Sequence, residues 1–296
     1  MSTQQQQALE YFRSHATEWR SKANGTDGIA VNIIEQRNQY VLDVAGERSH
    51  TETSLDVGCG TGELACQLAL RGINASGIDY APEMISLAST RARDAHIDRA
   101  TFRCASIFDA QLEPNHYDLI SANGFIEYIS QRQLVDFFRV AAASLRDGGS
   151  LVVGSRNRLF NLMSMNGFTL AESASGDMPA LLKEAASWTS APTLADAVNV
   201  ESVPVQAPDT THETTGIDVA TRFQYTPMQL ISLLKQQGLR ATEVYPVHIH
   251  GVTPAFAAEH PELHVSIANL LQASARRDTK LLAQASSFML HATKAA

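Results

Sequence analysis

Three groups of residues in this chain have types and spacings suited to chemistry. The first is Leu55-Asp56-Val57-Gly58-Cys59-Gly60-Thr61-Gly62-Glu63-Leu64-Ala65. Glycines at alternate positions let a backbone turn with φ > 0, and they leave no Cβ between the main chain and a bound molecule. A helix opening near Gly62 would turn its free N–H groups toward that molecule. Asp56, near the end of the preceding strand, is expected to accept hydrogen bonds from the loop N–H groups. About twenty residues past the first glycine a second strand ends in Asp79, where a carboxylate can take both hydroxyls of a ribose. The second group is His248 and His250, two apart at a strand end and so on one face. Imidazole is the natural general base for an acceptor that arrives protonated, and His250 is preferred over His248. The third is Arg156-Asn157-Arg158 after another strand, where guanidinium forks could grip an anionic acceptor. Each group also has a plain reading: a tight strand-to-helix turn, structural histidines, a solvated loop.

Spacing narrows the ligand of the glycine loop. In a dinucleotide fingerprint starting at Gly58, the third glycine would fall on Glu63. Starting at Gly60 gives a relaxed form ending in Ala65, a register that spacing alone leaves open but that sets Glu63 where a pyrophosphate would be repelled.

The elements that must position these residues follow from hydrophobic periodicity. From 51 to 155, strand and helix patterns alternate with short connections, which implies right-handed crossovers and a mostly parallel sheet in an α/β fold. Two helices, over residues 8–23 and about 29–45, precede the first strand and are expected to cap the open side of the ligand site (1–50). One stripe of the first carries Leu9, Phe12, Ala16 and Trp19. The strand–helix rhythm breaks over 156–222, where short helical patterns near 179–188 and 193–198 lead into a polar run, 207–216. A loop this long reads as a lid. Regular structure resumes at 223–296: Thr226 as an N-cap with Pro227 first in a helix, a strand over 241–248, a helix over about 261–285 and a last strand over 287–293. One domain with insertions fits best.

The segment 55–65, followed by Gly77-Ile78-Asp79-Tyr80-Ala81-Pro82-Glu83-Met84, resembles class I S-adenosylmethionine-dependent methyltransferases. So do Tyr117 to Gly124, which looks like the family's fourth strand, and Leu145 to Val153, which looks like its helix end, Gly-Gly turn and fifth strand. The resemblance implies a Rossmann-like seven-stranded mostly parallel sheet with helices on both faces, an N-terminal helical cap, a lid after the fifth strand and an antiparallel strand at the end. It implies S-adenosyl-L-methionine as cofactor. Asp56, Gly58, Cys59, Gly60, Gly62 and Asn123 would lie along it, Asp79 would hold the ribose, and Tyr80, Met84, Ser106 and Ile107 would lie toward the adenine. Ser106 departs from the acidic residue usual there. Tyr11 or Arg20 of the N-terminal arm would close on the cofactor carboxylate. Phe125-Ile126-Glu127-Tyr128-Ile129 resembles the ubiquinone-biosynthesis O-methyltransferases, in which a Glu-His pair here is linked to a divalent metal. With Tyr128 in place of histidine, Glu127 alone offers too few ligands, and no metal is expected.

The 296 residues carry 23 basic and 31 acidic side chains, a formal charge of −8 that argues against a broad nucleic-acid surface. Cys59, Cys66 and Cys104 are sparse and lie in segments that read as buried, which favours reduced thiols and a cytoplasmic setting. The first residues lack a signal peptide's pattern, and no apolar run is long enough to span a membrane. The expected function is methyl transfer to a small molecule, with an anionic acceptor among the candidates and oxygen favoured over nitrogen. An N-methyltransferase, an inactive cofactor-binding module and an NAD-linked oxidoreductase are the alternatives. Oligomeric state has no signal in the sequence.

Overall fold

The first strand, β1 (Thr53–Val57), is flanked on both sides by other strands, and from Ser54 onward every residue is buried, Asp56 included. A strand covered on both faces needs such a near-continuous run rather than an alternating one. The computed structural model describes residues 10, 11, 13, 14, 31–48, 50–191, 194–197, 203 and 223–295. Within them the chain runs α1 (Ile33–Glu47), β1, α2 (Glu63–Leu70), β2 (Asn74–Asp79), α3 (Pro82–Asp94), β3 (Ala100–Cys104), β4 (Tyr117–Asn123), α4 (Gln131–Ser144) and β5 (Leu145–Arg156). It continues through α5 (Gly167–Ser175), α6 (Met178–Ser190), a single turn at Leu194–Ala197, α7 (Pro227–Gln236), β6 (Leu239–Ile249), α8 (Pro254–Glu259), α9 (Pro261–Ala275) and β7 (Ala285–Lys294).

The strands form one sheet in the order β3-β2-β1-β4-β5-β7-β6. All pairs from β3 to β5 are parallel, whereas β7 runs antiparallel to both β5 and β6. This is the doubly wound, Rossmann-like arrangement expected, with its antiparallel last strand. Two consequences matter for the site. The chain order reverses between β1 and β4, which places a crevice beyond the C-terminal ends of those strands. And β6, antiparallel to an antiparallel strand, ends on the same edge as β1 and β4.

Two apolar layers sandwich the sheet. One joins α1 and α2 (Tyr40, Val41, Val44, Leu64, Leu68) to Leu119, Val152, Tyr245 and Met289; the other gathers Phe137, Phe138, Leu181, Trp188, Leu230 and Phe288. The helix expected over 29–45 is thus α1, built into one face of the sheet; the helix expected over 8–23 lies mostly outside the described residues. The helix expected over 261–285 stops at Ala275, and Thr279–Gln284 forms a 3-10 turn before β7. The N-cap at Thr226 is as expected: its hydroxyl accepts from Gln229 N while the Gln229 side chain accepts from Thr226 N.

The segment after β5 contributes side chains to the core, although Met165 and Leu170 stay exposed. Trp188 and Leu181 are fully buried, and Glu184, also fully buried, accepts hydrogen bonds from Met228 N (3.1 Å) and Trp188 Nε1 (3.4 Å). Burial raises the Glu184 carboxyl above its ordinary value. Residues 204–222 of the expected lid lie outside the described residues. Among the thiols, Cys59 and Cys66 are buried as expected, but Cys104 is exposed because β3 is an edge strand.

Candidate functional site

The glycine loop joins the end of β1 to α2. Gly58, Gly60 and Gly62 have φ of 69°, 51° and 79°, all left-handed. The loop is anchored across the sheet, with Gly58 N (2.8 Å) and Cys59 N (3.2 Å) both donating to Ile78 O. Its glycines do different work. A Cβ at Gly62 would sit 2.7 Å from the Phe102 ring and 2.8 Å from Ala88, whereas one at Gly60 would meet nothing within 4 Å. Gly62 therefore serves packing, and Gly60 faces open space.

The carboxylate that holds the loop is not the one expected. Asp56 is buried and accepts from Ser121 Oγ at 2.8 Å, a bond between β1 and β4. Loss of water, reinforced by Asp79 and Glu63 nearby, pushes its carboxyl up to about 7. Asp79 is the group that accepts from the loop, Oδ2 from Gly60 N (3.1 Å), while its Oδ1 accepts from Ala81 N (2.9 Å) at the start of α3. Burial raises its pKa, and these backbone donors oppose the rise. With the Tyr80 N–H counted, three backbone donors reach the two oxygens, which leaves the carboxylate room for a further donor.

The other positions assigned to the cofactor gather around this corner to different degrees. Tyr80 follows Asp79, half-buried, with its hydroxyl's pKa raised by burial. Met84 is buried on α3, and Ile107 is buried in the core. Ser106 Oγ accepts from Phe108 N (3.2 Å), a turn-forming bond. Asn123, at the end of β4, donates through Nδ2 to Asn38 Oδ1 (3.0 Å), while its Oδ1 is buried without a partner among the described residues. Tyr11 is buried, and two residues on, Arg13 pairs with Glu83 of α3 (3.0 Å), which sets this segment beside the β2–α3 corner. Arg20 lies outside the described residues.

Sequence reasoning overlooked Arg91 and Arg37. Arg91 pairs with Glu63, whose carboxylate also accepts from Thr61 Oγ1. The acidic residue at the start of α2 is thus partly neutralised. Arg37 of α1 donates to Glu127 Oε1 (3.2 Å) and to Ser287 Oγ (3.1 Å), and Glu127 Oε1 also accepts from Arg156 N (3.0 Å). Glu127 is therefore a buried tie between α1, the segment after β4 and the end of β5.

Two of the three acceptor candidates are committed to the fold. Arg158 is 1% exposed and bidentate on Glu172 (2.9 and 2.7 Å), with Asp177 at 2.7 Å. Its partners hold its pKa above the ordinary guanidinium value. Asn157, also 1% exposed, donates to Leu282 O (2.7 Å) and Ala285 O (2.9 Å) and accepts from Leu159 N (3.1 Å). These two correct the expectation of a solvent-facing anion grip. Arg156 is half-buried and is the last residue of β5.

His248 and His250 do share a face, with ring centroids 4.2 Å apart. The premise of a near-neutral base does not hold: burial, with neighbouring imidazoles adding to it, pushes His248 down to about 3 and His250 to about 4. Both are neutral imidazoles at physiological pH and weak proton acceptors. His264 of α9 joins them, its Nε2 3.2 Å from His248 Nε2.

The matches to known proteins fall on this same core. Residues 55–149 match the family model described as a methyltransferase domain. The chain is 29% identical over 157 residues to the ubiquinone biosynthesis O-methyltransferase of Xanthomonas euvesicatoria pv. vesicatoria, covering 52% of this chain and 62% of that protein. It is 31% identical over 119 residues to the protein of that name from Methylobacterium sp., covering 40% and 45%. These matches thus span less than two thirds of either relative. Among solved structures, magnesium protoporphyrin IX methyltransferase from Synechocystis, with bound S-adenosylhomocysteine, superposes with a TM-score of 0.54 at 16% identity, over 97% of this chain and 98% of that one. An S-adenosylmethionine-dependent methyltransferase from Mesorhizobium loti superposes with a TM-score of 0.53 at 15% identity, over 86% and 96%.

Proposed function

The core of this chain is a class I S-adenosylmethionine-dependent methyltransferase domain, and from that premise we propose that the protein methylates a small molecule, at oxygen in preference to nitrogen. The observation that carries this reading is the open space above Gly60 beside the Asp79 carboxylate, at the crevice where the strand order reverses. The cofactor supplies an electrophilic methyl group on a sulfonium. For the residues present the fit is good. Asp79 would accept from the ribose hydroxyls with its remaining capacity, and the partnerless Oδ1 of Asn123 would accept from the cofactor's ammonium. Gly60 would bring bare backbone against the amino-acid portion, while the Gly58 and Cys59 N–H bonds to Ile78 O and the packing of Gly62 keep that backbone in place and Asp56 ties β1 to β4 beneath it. Tyr80, Met84, Ser106 and Ile107 would line the adenine side, and Tyr11 would close over the amino-acid end. In-line transfer then asks the protein mainly to align the acceptor atom and exclude water.

The preference for oxygen rests on the names of the curated relatives. Arg156 is the acceptor-side cation in this reading and favours an acceptor with a carboxylate or phenolate. The test is transfer from methyl-labelled S-adenosylmethionine to panels of phenols, carboxylates and amines. Label in an ether or ester supports the proposal. Label only in amines replaces it by N-methylation. Donor binding without turnover on any panel leaves the binding-module reading.

A further inference from the structure

His248 and His250 end β6, and His264 lies on α9, so three imidazoles converge from two elements that the sequence separates. One ring nitrogen from each lies within 4.8 Å of the others. Three observations show that this is more than histidines packed together. Both ring nitrogens of His250 and Nδ1 of His264 are buried with no hydrogen-bond partner among the described residues. Buried polar nitrogens left this way cost about 1–3 kcal/mol each, so the two on His250 call for a partner, an ion or a water. His248 has φ of 54°, a left-handed backbone at a residue that is not glycine, and its N–H is clamped by Gln36 Oε1 (2.9 Å) and Gln272 Oε1 (3.1 Å). Such strain persists where the surroundings over-determine it. Finally, His248 Nδ1 meets Ser286 Oγ at 3.0 Å, the type of outer contact that fixes the tautomer of a metal-binding imidazole and leaves Nε2 free to coordinate.

We propose that His248, His250 and His264 form a binding site for a zinc-class divalent ion, with the fourth coordination position open to water or an oxygen ligand. Three neutral imidazoles suit zinc, cobalt, nickel or copper rather than magnesium or calcium, which take oxygen donors. Two imidazole nitrogens on a tetrahedral zinc lie about 3.4 Å apart at ordinary Zn–N lengths. The His248–His264 separation of 3.2 Å already matches that spacing. Side-chain rotation of roughly 1–1.5 Å brings the third nitrogen in. The Phe160 ring lies against His250 (centroids 4.5 Å) and shields one side of the site. Its ligands do not include Glu127, where no metal is expected, and it stands or falls independently of methyl transfer.

Titration of the untagged, chelator-stripped full chain with Co²⁺ tests it, read by the visible bands of four-coordinate cobalt and by bound metal per chain after desalting. The site predicts intense bands saturating at one ion per chain and displaced by Zn²⁺. His264→Ala, at a half-buried position of α9, should weaken binding roughly 100-fold or more by removing one of three ligands. Ser286→Ala should weaken it about 10–100-fold, and His260→Ala, at the start of α9 but outside the cluster, should leave it unchanged. Circular dichroism confirms folding of each variant. Absent bands, or bands of equal intensity and affinity in His264→Ala, would overturn the assignment.

Discussion

Alanine at Gly60 and at Gly62 should have opposite profiles, although both positions are left-handed glycines of one loop. An L-residue in the left-handed region costs about 1–2 kcal/mol. At Gly62 the new methyl also lands 2.7 Å from the Phe102 ring and 2.8 Å from Ala88, closer than real Cβ contacts, so one of those groups must shift. Overpacking of this kind adds about 1–3 kcal/mol, giving a total destabilisation of about 2–5 kcal/mol for Gly62→Ala. At Gly60 nothing lies within 4 Å, so only the backbone cost of about 1–2 kcal/mol applies. There, however, the methyl would occupy the space assigned to the cofactor. Urea denaturation should therefore show a larger loss of stability in Gly62→Ala than in Gly60→Ala. Calorimetric titration with S-adenosylhomocysteine should show the larger loss of affinity in Gly60→Ala. Wild-type affinity in a folded Gly60→Ala variant would refute the division of labour.

Three other outcomes are expected. Arg158→Met should destabilise the protein by about 3–5 kcal/mol in chemical denaturation, because it strands the buried Glu172 beside Asp177; an unchanged midpoint would return Arg158 to the list of acceptor residues. Asp79→Ala should weaken S-adenosylhomocysteine binding by about 1–3 kcal/mol, through lost ribose bonds and the freed Gly60 N–H, and calorimetry showing full affinity would remove the ribose assignment. Stability should also depend on His250 in acid. Its folded pKa of about 4 lies below the unfolded value near 6.5, so the unfolded state binds more protons between them and the His250 contribution is lost as pH falls through that window. The full loss is on the order of 3 kcal/mol, from about 2.5 pH units at about 1.4 kcal/mol each. Asp56, raised to about 7, has the opposite sign, so the measurement is the difference between wild type and His250→Gln in chelator from pH 7.5 to 4.5. Parallel curves would contradict the buried, neutral His250.

What the sequence disclosed was mostly local. The glycine loop, the Thr226–Pro227 helix start and the alternation that builds β1 to β5 depend on residues a few positions apart, where φ preference, capping and periodicity operate. The antiparallel β7 came from family resemblance. Side-chain partners were less legible. Arg158 reads as solvent-facing because nothing near it is acidic, yet Glu172 and Asp177 fold back onto it from 14 and 19 residues away. The loop bond expected of Asp56 falls to Asp79, since which carboxylate reaches Gly60 N depends on how β1 and β2 are set side by side. His264 escaped notice because α9 returns it to His248 only in the tertiary fold.

The central claim is that the tips of β1 and β2 hold S-adenosylmethionine through Gly60 and Asp79. A crystal structure with S-adenosylhomocysteine addresses it most directly. The account predicts ribose hydroxyls within hydrogen-bond distance of Asp79, with the amino-acid portion over Gly60 and near Asn123. A crevice left empty at saturating ligand, or an adenosyl group bound away from Asp79, would contradict it.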